Sequence, residues 1–358
     1  MFLLRSLCSI AAGLLLPAVL AAASPAQFDR GQAPLVIAHR GASGYLPEHT
    51  LESKALAYGM RPDYIEQDLV LSKDDHLIVL HDIYLDHVTD VADVFPHRAR
   101  PDGHFYTIDF TLEEIKRLRV TEAFDRRNGE TVPRYPQRFP LWRSSFKLAT
   151  LAEEIEMIQG LNLSLGYDIG IYPEIKNPAF HHREGKDIAK LTLALLKQYG
   201  YDNPQQKIFL QSFDAEELQR IERELLPRMN MSIPLVQLIA LTSWGTKKIE
   251  VDGQLVHYNY DWMLEEGGLK RIAGYADAIG PWAMMLVQKQ GDNFGDNGVV
   301  ARAHAVGLAV HPYTFRADDL LLPATEGFEE LVRMYTEDLG VDGLFTDHPD
   351  KVRDYLHH

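Results

Sequence analysis

The sequence predicts a TIM-type (β/α)8 barrel, an α/β fold, and three observations carry the prediction. Short apolar runs recur along the 358 residues and alternate with stretches of helical periodicity, about eight times over. The runs are continuous rather than alternating, as in strands covered by helices on their outer face and packed inward. Several of them stop abruptly in polar residues, and such barrels build their sites at the C-terminal ends of the strands. On the alternation alone, an open doubly wound sheet is the competing arrangement.

The candidate strands are 35–39, 64–71, 77–81, 169–175, 207–213, 235–240, 278–284, 308–313 and 343–346. The helical stretches are 51–58, 112–119, 151–159, 186–199, 215–226, 264–275 and 328–339. Thr150 and Glu153 form a capping box ahead of the third of these. Residues 84–147 break the rhythm. They are rich in Asp, Arg, Pro and aromatics, and they read as an insertion on the catalytic face, after the run that ends at His81. A second irregular stretch, 242–262, reads as a hairpin or a long loop. The chain has no internal repeats and no low-complexity tracts.

Composition narrows the class. Hydrophobic residues make up 46% and charged ones 24%, enough for a full core without disulfides. The net charge of −15 argues against nucleic acid or an anionic membrane as partner. It is compatible with a divalent cation and does not exclude a phosphorylated small molecule. Arg5, an apolar run over 7–20 and Ala21-Ala22-Ala23-Ser24 make residues 1–23 a secretory signal peptide, with a retained anchor as the alternative. Residues 24–358 then form one domain. The single cysteine, Cys8, lies in the signal, which suits an oxidising compartment such as a bacterial periplasm.

The run Leu35-Val36-Ile37-Ala38 ends in His39-Arg40-Gly41. His titrates near neutral pH, Arg grips oxyanions with a rigid fork, and Gly lets backbone approach a ligand. The second run reads Tyr64-Ile65-Glu66-Gln67-Asp68-Leu69. Glu66 and Asp68 are two apart and share one side of a strand. Two inward carboxylates are costly unless neutralised, and a hard divalent cation is their natural partner; an edge strand with solvated acids is the plainer alternative. The third run ends in His81-Asp82. A lone His there reads as a core or capping residue, but with His39 the pair points to acid–base work. Asp82 either orients His81 or caps a turn.

Pro173-Glu174-Ile175-Lys176 adds a third carboxylate and a cationic contact for a substrate oxyanion, or else a surface ion pair. Gln211-Ser212-Phe213-Asp214 ends another run, with Asp214 as N-cap of the helix that follows. His311-Pro312-Tyr313-Thr314 and Thr346-Asp347-His348-Pro349 end the last two. Gln211, Phe213 and Tyr313 are candidate substrate contacts. Phe213, Trp282 and Tyr313 are also candidate pocket walls, although core packing is the more frequent use of such rings. The mature chain offers no Cys nucleophile, no Gly-x-Ser-x-Gly elbow and no glycine-rich nucleotide loop. Cation, Arg and Lys suit a phosphate; two His suit proton transfer to and from oxygen. Together they describe metal-assisted phosphodiester cleavage.

At these residues the chain resembles the glycerophosphodiester phosphodiesterases. The resemblance is carried by His39-Arg40-Gly41, Pro47-Glu48-His49-Thr50, Glu66-Gln67-Asp68, Leu80-His81-Asp82, Pro173-Glu174-Ile175-Lys176, His311-Pro312-Tyr313-Thr314 and residues 343–350. Residues 86–103 and 258–263 are similar to the periplasmic bacterial members in particular. The resemblance implies a barrel with a segment inserted after the strand of His81-Asp82. It implies Ca²⁺, or Mg²⁺, held by Glu66, Asp68 and Glu174. It further implies His39 and His81 as the catalytic pair, Arg40 and Lys176 as phosphate contacts, and deacylated phospholipids cleaved to sn-glycerol 3-phosphate and an alcohol. His49 stands where many relatives carry Asn, with a supporting or ligand-adjacent role open. Neither stable membrane insertion nor a nucleic acid is expected, and any oligomer would be a dimer.

His39 is the expected base and His81 the expected acid. Two other readings compete. A lysophospholipid-cleaving, phospholipase-D-like enzyme would need a membrane-facing apolar loop, and the insertion is polar and charged. A non-catalytic periplasmic phosphate-ester binder leaves two His and three carboxylates in excess.

Overall fold

The computed structural model describes residues 33–357 apart from 128, 252, 253, 292, 323 and 324. The expected signal segment, with Cys8, lies outside the described residues. Eight parallel strands form a nearly closed barrel: β1 (Leu35–Ala38), β2 (Tyr64–Leu71), β3 (Gly170–Ile175), β4 (Leu210–Ser212), β5 (Leu235–Ile239), β6 (Ala278–Pro281), β7 (Ala309–Val310) and β8 (Gly343–Thr346). Each strand pairs with its neighbour in sequence, and β1 also pairs with β8. The seam between β7 and β8 is bridged by the Asp342 N–H to the Val310 carbonyl and the Phe345 N–H to the Pro312 carbonyl, each 3.0 Å. This sequential order excludes the open doubly wound sheet, whose order reverses at a switch point.

Helices follow the strands and cover the barrel, among them Leu51–Gly59, Leu151–Leu165, Ile188–Gln198, Ala215–Arg220, Glu266–Ile272 and Phe328–Arg333. Thr150 and Glu153 make both halves of the expected capping box, and the Asp214 side chain accepts from the Glu217 N–H as an N-cap. Three further helices, Pro178–Arg183, Val299–Ala305 and Pro349–His357, were not expected; at six to nine residues they are too short to display a period.

Nine apolar runs compete for eight barrel positions, and 77–81 is the one left out. Only Leu77–Val79 is extended, and it folds back antiparallel on the outer end of β2, with Val79 opposite Leu69 and Leu77 opposite Leu71. Strand β2 is long enough to serve both partners: Tyr64 to Leu69 pair with β3 and the last residues with the hairpin. Three other runs are shorter than expected, and of 207–213 only Leu210–Ser212 is strand. Pro312 has no N–H to continue the ladder of β7, and beyond Pro281 the chain turns into a 3-10 turn, Ala283–Leu286. The 242–262 stretch is a hairpin, Lys248–Val251 with Gln254–His257.

Most of the core lies between barrel and helices, where Leu69, Ile171, Leu193, Leu218 and Leu269 are fully buried. A second core lies beneath the chain that follows the hairpin strand. There Leu85, Val91, Phe105, Phe110, Ile115 and Phe146 close over Val70 and Ile78, at the far end of β2 where it pairs with the hairpin strand. That segment carries the helix Leu112–Arg117, with a Thr111/Glu114 capping box, and a hairpin of Phe124–Arg127 with Glu130–Pro133. It is therefore a packed layer on the barrel rim and not a slack loop.

Candidate active site

The two-residue repeat of each strand stacks an apolar plug beneath a polar layer inside the barrel. The plug is built from Ile37, Tyr64, Tyr172, Phe209 and Phe345, with smaller residues from the other strands. The next inward positions on those five strands are His39, Glu66, Glu174, Gln211 and Asp347, all buried. One step further come Asp68, Lys176 and Phe213. His311 belongs to the plug, with the Tyr172 hydroxyl 2.9 Å from its Nδ1.

Glu66, Asp68 and Glu174 each place an oxygen within 4.8 Å of the others. Asp68 faces Glu174 across the β2–β3 ladder. Lys176 Nζ lies 2.9 Å from Glu174 Oε1 and 3.7 Å from Asp68 Oδ1. Burial, reinforced by the Asp68 charge, pushes Glu66 well above the usual carboxylate range, and the same two causes push Glu174 up to about 8. Burial also opposes the charge on Asp68, but Lys176 and the hydrogen bond from His49 override it and hold that group well below its ordinary value. The His49 Nε2–H donates to Asp68 Oδ2 at 2.8 Å. Asp68 Oδ1 is buried with no hydrogen-bond partner. Three converging carboxylates, two of them pushed up by burial and a neighbouring charge, and an orphaned acceptor among them fit a hard cation with oxygen ligands. A second group, His182, Asp187 and Glu217, is as close-packed, but the Arg220 guanidinium already pairs with Asp187 at 2.7 Å and Glu217 at 2.5 Å.

His39 is held by Asp347. Its Nδ1 lies 2.6 Å from Asp347 Oδ1, so the carboxylate accepts the Nδ1 proton and leaves Nε2 with a lone pair. Asp347 Oδ2 accepts in turn from Arg138 Nη2 at 2.7 Å and Arg316 Nε at 2.8 Å. Burial, then the Arg40 charge, lowers the His39 pKa to about 4, so the ring is neutral at neutral pH.

Arg40 adopts a left-handed backbone, φ 58°, a conformation costing about 1–3 kcal/mol for a residue with a side chain. The bend aims its N–H at Glu66 Oε2 (2.6 Å), while its guanidinium meets Glu48 at 2.8 Å and Asp68 at 3.6 Å. Gly41 follows with φ 91°; a Cβ there would lie 2.7 Å from Ser53 Oγ, so this turn requires glycine.

His81 departs from the expected placement. It sits two residues beyond the antiparallel Leu77–Val79, not at the tip of a barrel strand, and its side chain is one-third exposed. Asp82, whose role the sequence left open, lies 2.8 Å from His81 Nδ1 and orients the ring. All ten candidate residues nevertheless line one cavity of about 680 Å³. Gln211 reaches Glu66 Oε1 at 3.5 Å, the Phe213 ring lies 5.7 Å from Lys176 Nζ, and the Tyr313 hydroxyl donates to the Ile239 carbonyl at 2.9 Å.

The sequence matches the glycerophosphoryl diester phosphodiesterase family over residues 39–351. The chain belongs to this family. Two relatives named glycerophosphodiester phosphodiesterase match most of its length. That of Haemophilus influenzae is 50% identical over 329 residues, 90% of this chain and 89% of the relative. That of Treponema pallidum is 45% identical over 320 residues, 88% of this chain and 90% of the relative. Family membership makes the protein an enzyme, a glycerophosphodiester phosphodiesterase. Two solved structures share the barrel. A Silicibacter pomeroyi protein described as a putative glycerophosphoryl diester phosphodiesterase is 24% identical, with a TM-score of 0.63 over 90% of this chain and 93% of the other. An Oleispira antarctica phosphodiesterase, solved with the product sn-glycerol-3-phosphate, is 23% identical, with a TM-score of 0.58 over 91% and 98%.

Within this phosphodiesterase, several supporting residues escaped the sequence reading. In the sequence Asp347 reads only as the end of a strand, although its parity with Phe345 places it in the inward layer. His49 was left open and proves to hold Asp68. Lys54, fully buried, donates to the Glu66 carbonyl and pairs with Glu154 at 3.2 Å. Arg138 and Arg316 gave no signal, because both lie in irregular chain.

Proposed function

We propose that the protein hydrolyses glycerophosphodiesters to sn-glycerol 3-phosphate and the corresponding alcohol, with His39 and His81 moving the protons and a divalent cation, Ca²⁺, at Glu66, Asp68 and Glu174. The observation that carries this reading is the layer itself: two carboxylate-oriented imidazoles and three buried acids open into one cavity. The cation would supply charge neutralisation and polarisation of the phosphoryl oxygens. Arg40 and Lys176 lie beside the same acids and are suited to hold the phosphate oxygens as charge builds. His39 Nε2, free of its proton, accepts one from the attacking oxygen, and the Asp347 carboxylate stabilises the imidazolium formed. As the phosphorus–oxygen bond to the leaving alcohol breaks, His81 gives its proton to that oxygen. The product complex of the Oleispira neighbour, described as holding sn-glycerol-3-phosphate, supports the choice of product. The Arg5-led apolar segment and the small residues before Ser24 support secretion to the periplasm, with 24–358 as the catalytic domain.

The test is release of sn-glycerol 3-phosphate from glycerophosphocholine by the purified protein, with EDTA and with Ca²⁺ restored. Cation-dependent release is expected, with His39→Ala and His81→Ala each losing several orders of magnitude in kcat. A folded, cation-replete protein inert toward every glycerophosphodiester refutes the reading.

A further inference from the structure

Arg138 stands outside the cavity lining but one residue away from its chemistry. Its guanidinium is buried and every part of the fork is engaged. Nη2 donates to Asp347 Oδ2 at 2.7 Å, Nε and Nη2 donate to Asp318 at 2.8 and 3.2 Å, and Nη1 donates to the Ser43 carbonyl at 3.1 Å. The Tyr135 ring lies against the guanidinium, 3.8 Å from centroid to Cζ. The Ser43 hydroxyl in turn donates to the His39 carbonyl at 2.8 Å. One side chain thus ties the loops after β1, β7 and β8 together around the partner of His39. It comes from none of these loops, but from the layer inserted between β2 and β3.

We infer that Arg138 is a positioning residue: it fixes the Asp347 carboxylate, and through it the His39 ring, so that the inserted layer is part of the catalytic machinery. The inference rests on the phosphodiesterase reading above. A carboxylate that is to hold Nδ1 with one oxygen needs its other oxygen anchored, or it turns about its own bond. Arg316 also touches that oxygen, but it lines the cavity and is 22% exposed, so it is available to a substrate anion. Arg138 is 4% exposed and locked to Asp318, and so serves as the fixed anchor. Its bond to Asp347 also compensates a charge buried at the very end of β8.

The test is a double-mutant cycle with saturating Ca²⁺ and glycerophosphocholine. Arg138→Gln should lower kcat about 10²-fold, the size expected when a reacting group shifts by about an ångström, with KM and cation affinity nearly unchanged. In a His39→Ala background the same substitution should have no further effect, because its whole influence passes through that ring. Arg138→Lys keeps the charge but not the fork and should recover part of the loss; if Arg138→Gln does not fold, this variant enters the cycle in its place. A rise in KM at unchanged kcat, or the same fold-loss with and without His39, overturns the inference while leaving the phosphodiesterase reading intact. A wild-type protein that turns over no glycerophosphodiester overturns both.

Discussion

Replacing Asp347 with Asn tests the proposed base assignment with little change of shape. The His39–Asp347 bond is 2.6 Å and buried, and its acceptor is charged. A hydrogen bond to a charged group is worth about 1.5–3 kcal/mol and a neutral one about 1 kcal/mol, so weakening alone accounts for a loss of about 2- to 30-fold. The larger effect is on the tautomer. An amide at this position can offer its NH₂ to Nδ1, which moves the ring proton to Nε2, the nitrogen that has to accept one. The same exchange in the serine-protease triad costs about 10⁴ in kcat for this reason. Asp347→Asn should therefore lower kcat by about 10³–10⁴, with KM and cation affinity kept. Folding should survive, because Arg138 retains Asp318; the expected loss is about 1–3 kcal/mol. Rates of sn-glycerol 3-phosphate release at saturating Ca²⁺, beside a thermal melt, give both quantities. A folded variant with kcat within about threefold of wild type refutes the proposed role of His39 as base.

Three further outcomes follow from the same layer. His49→Ala frees the Asp68 carboxylate from its 2.8 Å anchor and should weaken Ca²⁺ binding about 10- to 100-fold, as read by calorimetry; unchanged affinity would mean that Asp68 needs no such support. The chelated protein should become less stable as pH rises. Burial raises Glu174 to about 8 from an ordinary value near 4.5, so the stability it contributes is complete below the unfolded value and is lost as pH climbs through 8. Bound Ca²⁺ should abolish that slope, so Tm measured from pH 6 to 9 with EDTA and with Ca²⁺ tests the cluster; parallel curves count against it as the cation site. Glu154→Leu strands the buried Lys54 and should cost about 3–5 kcal/mol, whereas adding Lys54→Met should restore most of it, as followed by denaturant melts.

The barrel was legible in the sequence because its signals are local. A continuous apolar run is a strand covered on both faces wherever it occurs, and side-chain parity places Glu66 with Asp68 and Glu174 with Lys176 from spacing alone. The run ending at His81 misled because a strand's composition records its burial and not its direction. Leu77–Val79 is as apolar as a barrel strand since both its faces are covered: Leu77 and Val79 pack into the main core and Ile78 into the second, with Val70. What was not legible is partnership. The bond from His39 to Asp347 spans 308 positions and that from Arg138 to Asp347 spans 209. Nothing near Arg138 marks it, because its neighbourhood is irregular and its role is defined by the loops it reaches. His49 is intermediate: a polar residue in a tight turn, φ 60°, whose meaning appears only with Asp68 beside it.

The two imidazoles differ in a way that supports dividing the proton transfers between them as proposed. His39 grows from the barrel itself; its N–H is bonded to the Thr346 carbonyl at 2.9 Å and its ring is fixed through Asp347 by two arginines. Such a ring has little room to move and starts neutral, which suits a group that must accept a proton at a defined point. His81 follows a hairpin outside the barrel, is one-third exposed, and is oriented by the adjacent Asp82 alone. That contact with water and the looser hold suit the proposed donor. The packed layer that Leu77–Val79 leads into therefore bears on both rings: it carries His81 at its start and, through Arg138 near its end, bonds to the Asp347 carboxylate that His39 meets. Shortening that layer should disable both proton transfers together while leaving the cation site, which β2 and β3 build from within the barrel, able to bind.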